Sequence, residues 1–473
     1  MNRKSIFFYI GLFTLLISLF SILNILYSIY FDFFLGLNSY IITLILSLSI
    51  GTLFCYIGRN DRKNFDLVNQ ITFIILSFLF LPLLISIPYF LSIYNISFLN
   101  AYFESISGFT TTGFSILSNI EMIDEPLLLW RSSSQWIGGL FFLFITIGTI
   151  GSRQIKIKPA YLISGGASGR NFYNNFNQNF IKIISIYFFT TLLVIFLYTL
   201  FNIRLLDSFN LAFTTISSGG FIPTAELSDI INSRNKIFIL SITLLIPILN
   251  FFLFFDIITK KFSFKDHQED FHLILLVFVF TAIIYLFIKP NENVINLLFY
   301  VTSSISTSGI STYSSSYDSS LYFIVLAIVG GSLISTSSGL KYTRFYILLK
   351  TSYQEIYRLF KPLNIIDKNL YNSETKIDDQ DFKIAFLVFI FFIFSTFILS
   401  SILAFDFLEF ENSFKLALLT LANTTNSSLY GIESLNFIDL NDFTKMSLIF
   451  FMIIGKIELI AVLYLIKKII FKE

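Results

Sequence analysis

The chain is 473 residues long, 55% hydrophobic and 13% charged, with a net charge of +2 and a mean hydropathy of +0.77. Soluble domains carry nearer a quarter charged residues, so this composition excludes a water-soluble globular fold and indicates an integral membrane protein. The near-neutral charge gives no support to a nucleic-acid partner, and the single cysteine, Cys55, excludes an intrachain disulfide framework.

Apolar segments of about bilayer-spanning length recur from one end of the chain to the other, and they predict about ten crossings. They lie at residues 5–30, 36–57, 70–93, 130–151, 180–201, 236–259, 271–288, 321–340, 383–404 and 445–470. Every second connection is basic, from Arg3 and Lys4 at the start to Lys467 and Lys468 near the end. Because basic residues favour the cytoplasmic side of short loops, both termini are predicted to be cytoplasmic.

Four connections on the opposite side each contain a semi-apolar stretch that is too short to span the membrane. They run from Asn100 to Gly113, Asp207 to Gly220, Asn296 to Gly309 and Asn412 to Thr425. Each has the same length and begins with Asn or Asp, which are favourable helix N-caps. The pattern predicts four repeats, each made of a spanning helix, a short re-entrant helix, a loop and a second spanning helix.

The repeats divide the chain into five parts. Two N-terminal helices occupy residues 1–66, and repeat 1 occupies residues 67–158. Repeat 2, with a preceding cytosolic linker, covers 159–265, repeat 3 covers 266–362 and repeat 4 covers 363–473.

The loops that end these stretches have the chemistry of a cation filter. Non-helical backbone at membrane depth is tolerated only when it is buried in protein or lines water, and a ring of backbone carbonyls can replace the hydration shell of a cation. Glycine permits the positive φ angles that turn carbonyls inward, and hydroxyls satisfy neighbouring groups or add ligands. The predicted cation-binding residues are Thr111, Thr112, Gly113, Ser218, Gly219, Gly220, Thr307, Ser308, Gly309, Asn423, Thr424 and Thr425.

Several motifs together resemble the Trk/Ktr/HKT superfamily of potassium and sodium transporters, and in particular its bacterial Trk-type membrane subunit. They are Phe103-Glu104 ahead of Ser107–Gly113, Gln135–Gly139, Asn250-Phe251, Ser217–Phe221 and Thr307–Gly309. The resemblance implies an all-α membrane protein with two N-terminal helices plus four M1–pore loop–M2 repeats with pseudo-fourfold symmetry around one ion pore. It also implies the bacterial inner membrane, a homodimer with one pore per subunit, and a cytosolic nucleotide-binding regulatory subunit.

The fourth loop departs from the family pattern because Thr425 stands where a glycine is expected. A left-handed φ costs a non-glycine residue roughly 1–2 kcal/mol, so the Thr425 carbonyl is expected to turn away from the axis. In the plant branch of the superfamily, a glycine-to-serine change in a filter accompanies sodium permeation. Registers that use Ser428 or Gly431 instead break the common loop length.

A gate is predicted beneath the filter, where the apolar run that begins near Leu321 is interrupted by small residues and by hydroxyls. The alternative is an ordinary cytoplasmic helix end. Lys456, inside the last apolar run, is predicted to place a positive charge below the filter, the alternative being a structural pairing with Glu458 or with lipid. The predicted gating residues are Gly330, Gly331, Ser335, Thr336, Ser337, Ser338, Gly339 and Lys456.

Other candidate sites carry less weight. Glu104, on the first re-entrant helix, is expected to support the first filter or to attract cations at its mouth. The group of His267, His272, Asp266, Glu269 and Asp270 is interpreted as a hydrated cytosolic connection and not as a metal site. Residues 164–170 are glycine-rich but lack a phosphate-binding motif and are interpreted as a linker. No nucleophile or nucleotide site is recognised, so the chain is predicted not to be an enzyme and to need no cofactor.

The sequence therefore predicts potassium uptake through a gated four-loop pore, driven by the membrane potential. The nearest alternative is a sodium-permeable or weakly selective pore of the same fold. A coupled transporter with broken helices is less favoured, because such folds contain two inverted halves. A non-conducting membrane scaffold would leave four re-entrant loops without a role.

Overall fold

The computed structural model describes residues 4–59, 67–117, 119–150, 176–258, 267–312, 320–360, 370–371, 377, 379–406, 408–432 and 435–457. Within these ranges all regular structure is helical and no strand is present. The expected all-α membrane architecture is confirmed, and its helices follow the four repeats in chain order.

The first two helices, α1 (Lys4–Tyr30) and α2 (Leu37–Gly58), pack against each other in antiparallel directions. Glycines on α2 allow the close approach: a methyl group added to Gly58 would lie 2.5 Å from Phe8 Cβ, and one added to Gly51 would lie 2.9 Å from the Leu15 side chain.

The remaining helices fall into the four predicted repeats. Repeat 1 contains α3 (Leu67–Ile85), α4 (Ile87–Phe90), α5 (Phe98–Phe109) and α6 (Glu125–Ile150). Repeat 2 contains α7 (Phe176–Leu200), α8 (Leu205–Ser217), α9 (Arg234–Thr243) and α10 (Phe251–Ile258). Repeat 3 contains α11 (Gln268–Ile283), which continues as a π-helical turn over Ile284–Ile288, then α12 (Val294–Ile305), α13 (Ser320–Val329) and α14 (Tyr342–Phe360). Repeat 4 contains α15 (Asp379–Ala404), α16 (Phe410–Ala422) and α17 (Asp442–Ile457).

Among the described residues, six helices are long and apolar enough to cross a bilayer without interruption. They cover Lys4–Tyr30, Leu37–Gly58, Ile71–Phe90, Ile181–Leu200, Gln268–Ile288 and Asp379–Ala404. The chain is therefore a multi-pass membrane protein.

Two of the predicted crossings are broken helices. The segment 236–259 was predicted as one span, but α9 ends at Thr243 and α10 begins only at Phe251. Pro247 lies in this break and cannot donate a backbone hydrogen bond. The segment 321–340 is helical only as far as Val329, as its small residues predict. The last predicted segment, 445–470, is described only to Ile457.

The four short helices α5, α8, α12 and α16, called here the pore helices, begin three residues earlier than predicted. Their N-caps are Ser97, Arg204, Asn293 and Glu409. The Asn and Asp residues predicted as N-caps are instead the third residues of these helices. Because the offset is the same in all four, the equivalence of the repeats is unchanged.

Glycines on the second spanning helices let them pack directly on the ends of the pore helices. A methyl group on Gly139 of α6 would lie 2.7 Å from Ser217 Cβ, at the end of α8. A methyl group on Gly455 of α17 would lie 2.5 Å from the Leu421 carbonyl oxygen of α16. These contacts fix the ends of the pore helices and hence the loops that follow them.

Candidate functional site

Four three-residue loops follow the pore helices: loop 1 (111–113), loop 2 (218–220), loop 3 (307–309) and loop 4 (423–425). The first residue of each loop has a positive φ: 56° at Thr111, 64° at Ser218, 61° at Thr307 and 48° at Asn423. Such values are uncommon for non-glycine residues. They cost about 1–3 kcal/mol each and persist only where the surrounding structure imposes them. The repetition of this conformation at one position aligns the four loops independently of their sequences.

Loops 1, 2 and 3 contact one another in order. A methyl group added to Gly113 would lie 3.1 Å from Gly220 Cα, which places loop 1 beside loop 2. The Ser218 hydroxyl donates to the Ser306 carbonyl oxygen and lies 3.4 Å from the Thr307 hydroxyl, which joins loop 2 to loop 3.

Loop 4 closes the ring between loop 3 and loop 1. A methyl group added to Gly309 would lie 3.0 Å from the Thr424 methyl and from the Thr425 carbonyl oxygen. Asn423 Nδ2 donates to the Thr112 hydroxyl at 3.0 Å. The four loops therefore form a closed ring in chain order, and all twelve predicted filter residues are buried in it.

The pore helices direct their C-terminal ends at this ring, because each loop follows the last residue of its helix. A helix C-terminus carries a partial negative charge from its unpaired carbonyls. Four such ends converge here, beside carbonyl and hydroxyl oxygens. The ring is therefore favourable for a cation and unfavourable for an anion.

Thr425 does not adopt the left-handed φ that would be costly for threonine, and the direction of its carbonyl relative to the axis stays a prediction. Positive φ at the third loop position occurs at Gly113 (84°) and Gly309 (63°), but neither Gly220 nor Thr425 adopts it. The ring therefore does not require a left-handed residue at this position of loop 4, and threonine is accommodated without that cost.

The Thr425 side chain instead points among the other three loops. Its hydroxyl donates to the Gly113 carbonyl oxygen at 2.8 Å. A methyl group added to Gly220 of loop 2 would lie 2.5 Å from Thr425 Cβ. One added to Gly309 of loop 3 would lie 3.0 Å from Thr425 Cγ2. Because loop 2 is opposite loop 4, the Thr425 side chain lies across the centre of this level of the ring.

A buried ion pair supports loop 1 from behind. Glu104 Oε1 accepts from Arg131 Nε at 3.0 Å, and Glu104 Oε2 accepts from the Ile116 amide at 2.8 Å. The Arg131 guanidinium lies 4.2 Å from the centre of the Phe221 ring, just after loop 2. Glu104 is 1% exposed, so of the two roles considered for it the geometry favours support of the filter.

Residues 330–341, called here the intramembrane loop, interrupt the helix between α13 and α14. Gly330 (φ 66°) and Gly339 (φ 76°) flank the interruption, and of the predicted gating residues only Gly339 is partly exposed. The Ser338 amide donates to the Thr307 hydroxyl at 2.9 Å, and the Thr336 hydroxyl donates to the Ile216 carbonyl at 2.8 Å. The intramembrane loop therefore contacts the end of pore helix α8 and loop 3, which follows pore helix α12.

Two buried ammonium groups bind the intramembrane loop. Lys456 Nζ donates to the Ser338 hydroxyl at 2.7 Å and to the Thr111 hydroxyl of loop 1 at 2.6 Å. Lys341 Nζ donates to the carbonyl oxygens of Ser335 (3.2 Å) and Ser337 (2.5 Å). Both ammonium groups face the Phe142 ring, at 4.3 Å for Lys456 and 5.0 Å for Lys341. Glu458, the alternative partner of Lys456, lies outside the described residues.

The interpretation of His267, Glu269 and Asp270 as a hydrated connection was wrong, because all three are buried. Glu269 accepts from the Ser332 hydroxyl at 2.9 Å and from the Leu333 amide at 3.1 Å. The partners of Glu269 are more than sixty residues away in sequence, so no local pattern could reveal them. His272, on the same helix, lies 5.0 Å from the Tyr371 ring.

Among the described residues, no group of three or more His, Cys, Asp or Glu side chains could hold a metal ion. The ligands available in the ring are neutral oxygens, which suit a monovalent cation as the transported substrate. The linker predicted at 164–170 lies outside the described residues.

Comparison with known proteins gives concordant results. A family model described as TrkH, cation transport protein, matches residues 274–471. The chain is 29% identical to an uncharacterized cation transporter of Methanocaldococcus jannaschii, over 87% of this chain and 84% of that protein. It is 27% identical to the Trk system potassium uptake protein TrkI of Halomonas elongata, over 84% of this chain and 81% of that protein.

The fold also matches a solved structure, the potassium transporter TrkH from Vibrio parahaemolyticus. The TM-score is 0.78, with 98% of each chain covered and 20% sequence identity. Four repeats, a closed ring of loops and these similarities agree with one another. The chain is similar to the TrkH family of cation transport proteins, a family of transporters, over residues 274–471 in sequence and over nearly the whole chain in fold.

Proposed function

We propose that this protein takes up potassium through the ring of four loops, with the membrane potential as the driving force. One charge that crosses 100 mV gains about 2.3 kcal/mol, so no energy-coupling site is needed within this chain. The observation that carries the proposal is the closed ring of neutral oxygens at the negative ends of four pore helices. Relatives named as potassium uptake proteins support the choice of ion.

The proposed ion ligands are the twelve residues of loops 1 to 4, and the proposed gate is the intramembrane loop with Lys456. Support for the gate comes from the hydrogen bonds of Ser338 and Thr336 to the ring region and from the bridge that Lys456 makes between Ser338 and Thr111. The proposed closed state is the one in which the loop makes these bonds and blocks the path below the ring. A cation could pass only after these bonds break.

A second candidate is a sodium-permeable or weakly selective pore, and the Thr425 side chain favours it. The Thr425 hydroxyl occupies a lone pair of the Gly113 carbonyl, and the side chain lies against loops 2 and 3. A ring in which one carbonyl is engaged and a threonine side chain contacts the other three loops differs from a ring of four equivalent glycines. Its preference between potassium and sodium is therefore expected to depend on residue 425.

The remaining features rest on the family and on the sequence pattern. We propose residence in the bacterial inner membrane with both termini cytoplasmic, because every second connection is basic. We also propose the repeat boundaries given above, a homodimer, and a cytosolic nucleotide-binding regulatory subunit that docks on the basic cytoplasmic connections.

The decisive experiment is ion flux into liposomes that contain the purified protein, with potassium, rubidium, sodium and lithium compared in turn. Potassium and rubidium flux well above that of protein-free liposomes is expected, together with a change in the potassium-to-sodium ratio for Thr425→Gly. Absence of flux for every ion would reject the transport proposal. An unchanged ratio in Thr425→Gly would reject the role of Thr425.

A further inference from the structure

The breaks in the second spanning helices of repeats 2 and 3 are bonded to each other. The Ser332 amide donates to the Ile248 carbonyl at 2.8 Å, and the Phe251 amide donates to the Ile334 carbonyl at 2.8 Å. The Ser337 amide donates to the Pro247 carbonyl at 3.2 Å. Backbone groups freed by one break are thus satisfied by the other, as burial at membrane depth requires.

Two adjacent acidic residues at the start of α11 bond to these breaks: Glu269 bonds to the break in repeat 3, and Asp270 bonds to the break in repeat 2. Glu269 accepts from the Ser332 hydroxyl (2.9 Å), the Leu333 amide (3.1 Å) and the Thr343 hydroxyl, which span the intramembrane loop and the start of α14. Asp270 accepts from the Asn250 amide at 2.6 Å, at the end of the break in repeat 2.

The intramembrane loop is therefore attached at two ends. Toward the ring it bonds Thr307, Ile216 and Lys456, and away from the ring it bonds Glu269. Removing the attachment at Glu269 would leave Ser332, Leu333 and Thr343 without this acceptor, while the contacts with the ring remain. The intramembrane loop would then have no hydrogen bonds to Glu269 of α11 to hold its conformation.

We propose that Glu269 is a positioning residue that holds the intramembrane loop closed, and that Asp270 ties the break in repeat 2 to the same point, so that both breaks open together. This inference rests on the proposed function in treating the loop as a gate. It goes beyond that function because it names a residue of α11 that holds the loop closed, and because it couples the movement of repeat 2 to that of repeat 3.

The test uses single cysteines in full-length protein whose native Cys55 is replaced by serine. One reporter is Ser335→Cys in the intramembrane loop, and the other is Ile246→Cys in the break of repeat 2. Each is combined with Glu269→Ala, Glu269→Gln or no further change, and a small methanethiosulfonate reagent is added to protein in liposomes. Glu355→Gln is the matched control, because Glu355 is an exposed carboxylate on α14 that pairs with Arg358.

Glu269→Ala is expected to raise the labelling rate of both cysteines and the basal potassium flux by about tenfold, the order of magnitude expected for the net loss of hydrogen bonding to one buried acceptor. Glu269→Gln, which keeps one acceptor oxygen, is expected to give a smaller increase. Glu355→Gln is expected to leave all three rates unchanged.

Labelling rates in Glu269→Ala that equal those in Glu355→Gln would overturn the proposal. An increase at Ser335→Cys alone would overturn the coupling of the two breaks. If the wild-type protein passes no ion, the transport proposal fails while the labelling rates still decide this one. If Glu269→Ala does not fold, Ser332→Ala and Thr343→Val remove the hydroxyl donors from the other side and are judged by the same rates.

Discussion

Loops 1 and 4 adjoin in the ring and share a backbone conformation, yet they are held in different ways. Loop 1 has the buried Glu104–Arg131 ion pair behind it and glycine at its third position. Loop 4 is held by neutral hydrogen bonds, in which Asn423 Nδ2 donates to the Met452 carbonyl at 2.8 Å and to the Thr112 hydroxyl at 3.0 Å. Its third residue, Thr425, sends a side chain into the ring.

The four loops therefore share one backbone conformation at their first position, whereas the residue at their third position varies. The left-handed φ of the first residue is present in all four loops, whatever the side chain. The third residue is free to differ where its φ is not positive. Loop 4 uses that freedom to place a hydroxyl where the other loops have only backbone.

The largest effect is expected from breaking the support of loop 1. Arg131→Met would leave Glu104 buried without its cation, which costs about 3–5 kcal/mol, so a large fall in thermal stability in detergent and loss of potassium flux are expected. The control is Arg204→Met, which breaks an ion pair whose arginine side chain is 62% exposed and should change stability by no more than about 1 kcal/mol. Equal effects of the two substitutions would show that the buried pair has no special role.

A tenfold effect is expected from replacing Gly113, the third residue of loop 1. Gly113→Ala imposes a left-handed φ on alanine, at about 1–2 kcal/mol, and its methyl group would lie 2.9 Å from Thr425 Cβ. Flux is expected to fall by about tenfold. In the double variant Gly113→Ala with Thr425→Gly, the steric part is relieved and part of the flux should return. No rescue would mean that the two residues do not meet as described.

The smallest effect is expected at His267, which touches neither loop. Burial disfavours its charge, but hydrogen bonds and the negative charges of Asp270 and Asp256 outweigh burial and raise the pKa of His267 above its usual value. A raised pKa stabilises the folded state below the usual value of about 6.5, and this contribution is lost as the pH rises through the folded pKa.

The measurement for His267 is the melting temperature of wild-type protein and His267→Gln across this pH range. The difference should be largest in acid and should shrink above neutral pH, with the ion selectivity unchanged at every pH. A difference that is constant with pH would indicate that the charge of His267 makes no contribution.

Much of the fold followed from the sequence, because hydropathy and equal-length stretches are local signals. The four loops and their register were identified from Gly113, Gly220 and Gly309, and the helix break after Val329 was identified from its small residues. The N-caps were placed one turn too late, because polar residues at the third helical position resemble caps.

The remainder depended on contacts that sequence spacing does not encode. The burial of Glu269 requires partners on the intramembrane loop, and the inward direction of the Thr425 side chain requires the backbone of three other repeats. The break between Thr243 and Phe251 was hidden because its residues are as apolar as a continuous span.

One polypeptide supplies every quadrant of this ring, whereas potassium channels assemble their filter from four separate loops of like sequence. A single codon change here alters one quarter of the conduit and leaves the other three as they were. A substitution in this chain therefore changes one loop of the ring. In a symmetric assembly of four identical chains, the same substitution would change all four loops at once. Threonine at position 425, where the other three loops have glycine, is a difference confined to one quarter of the ring.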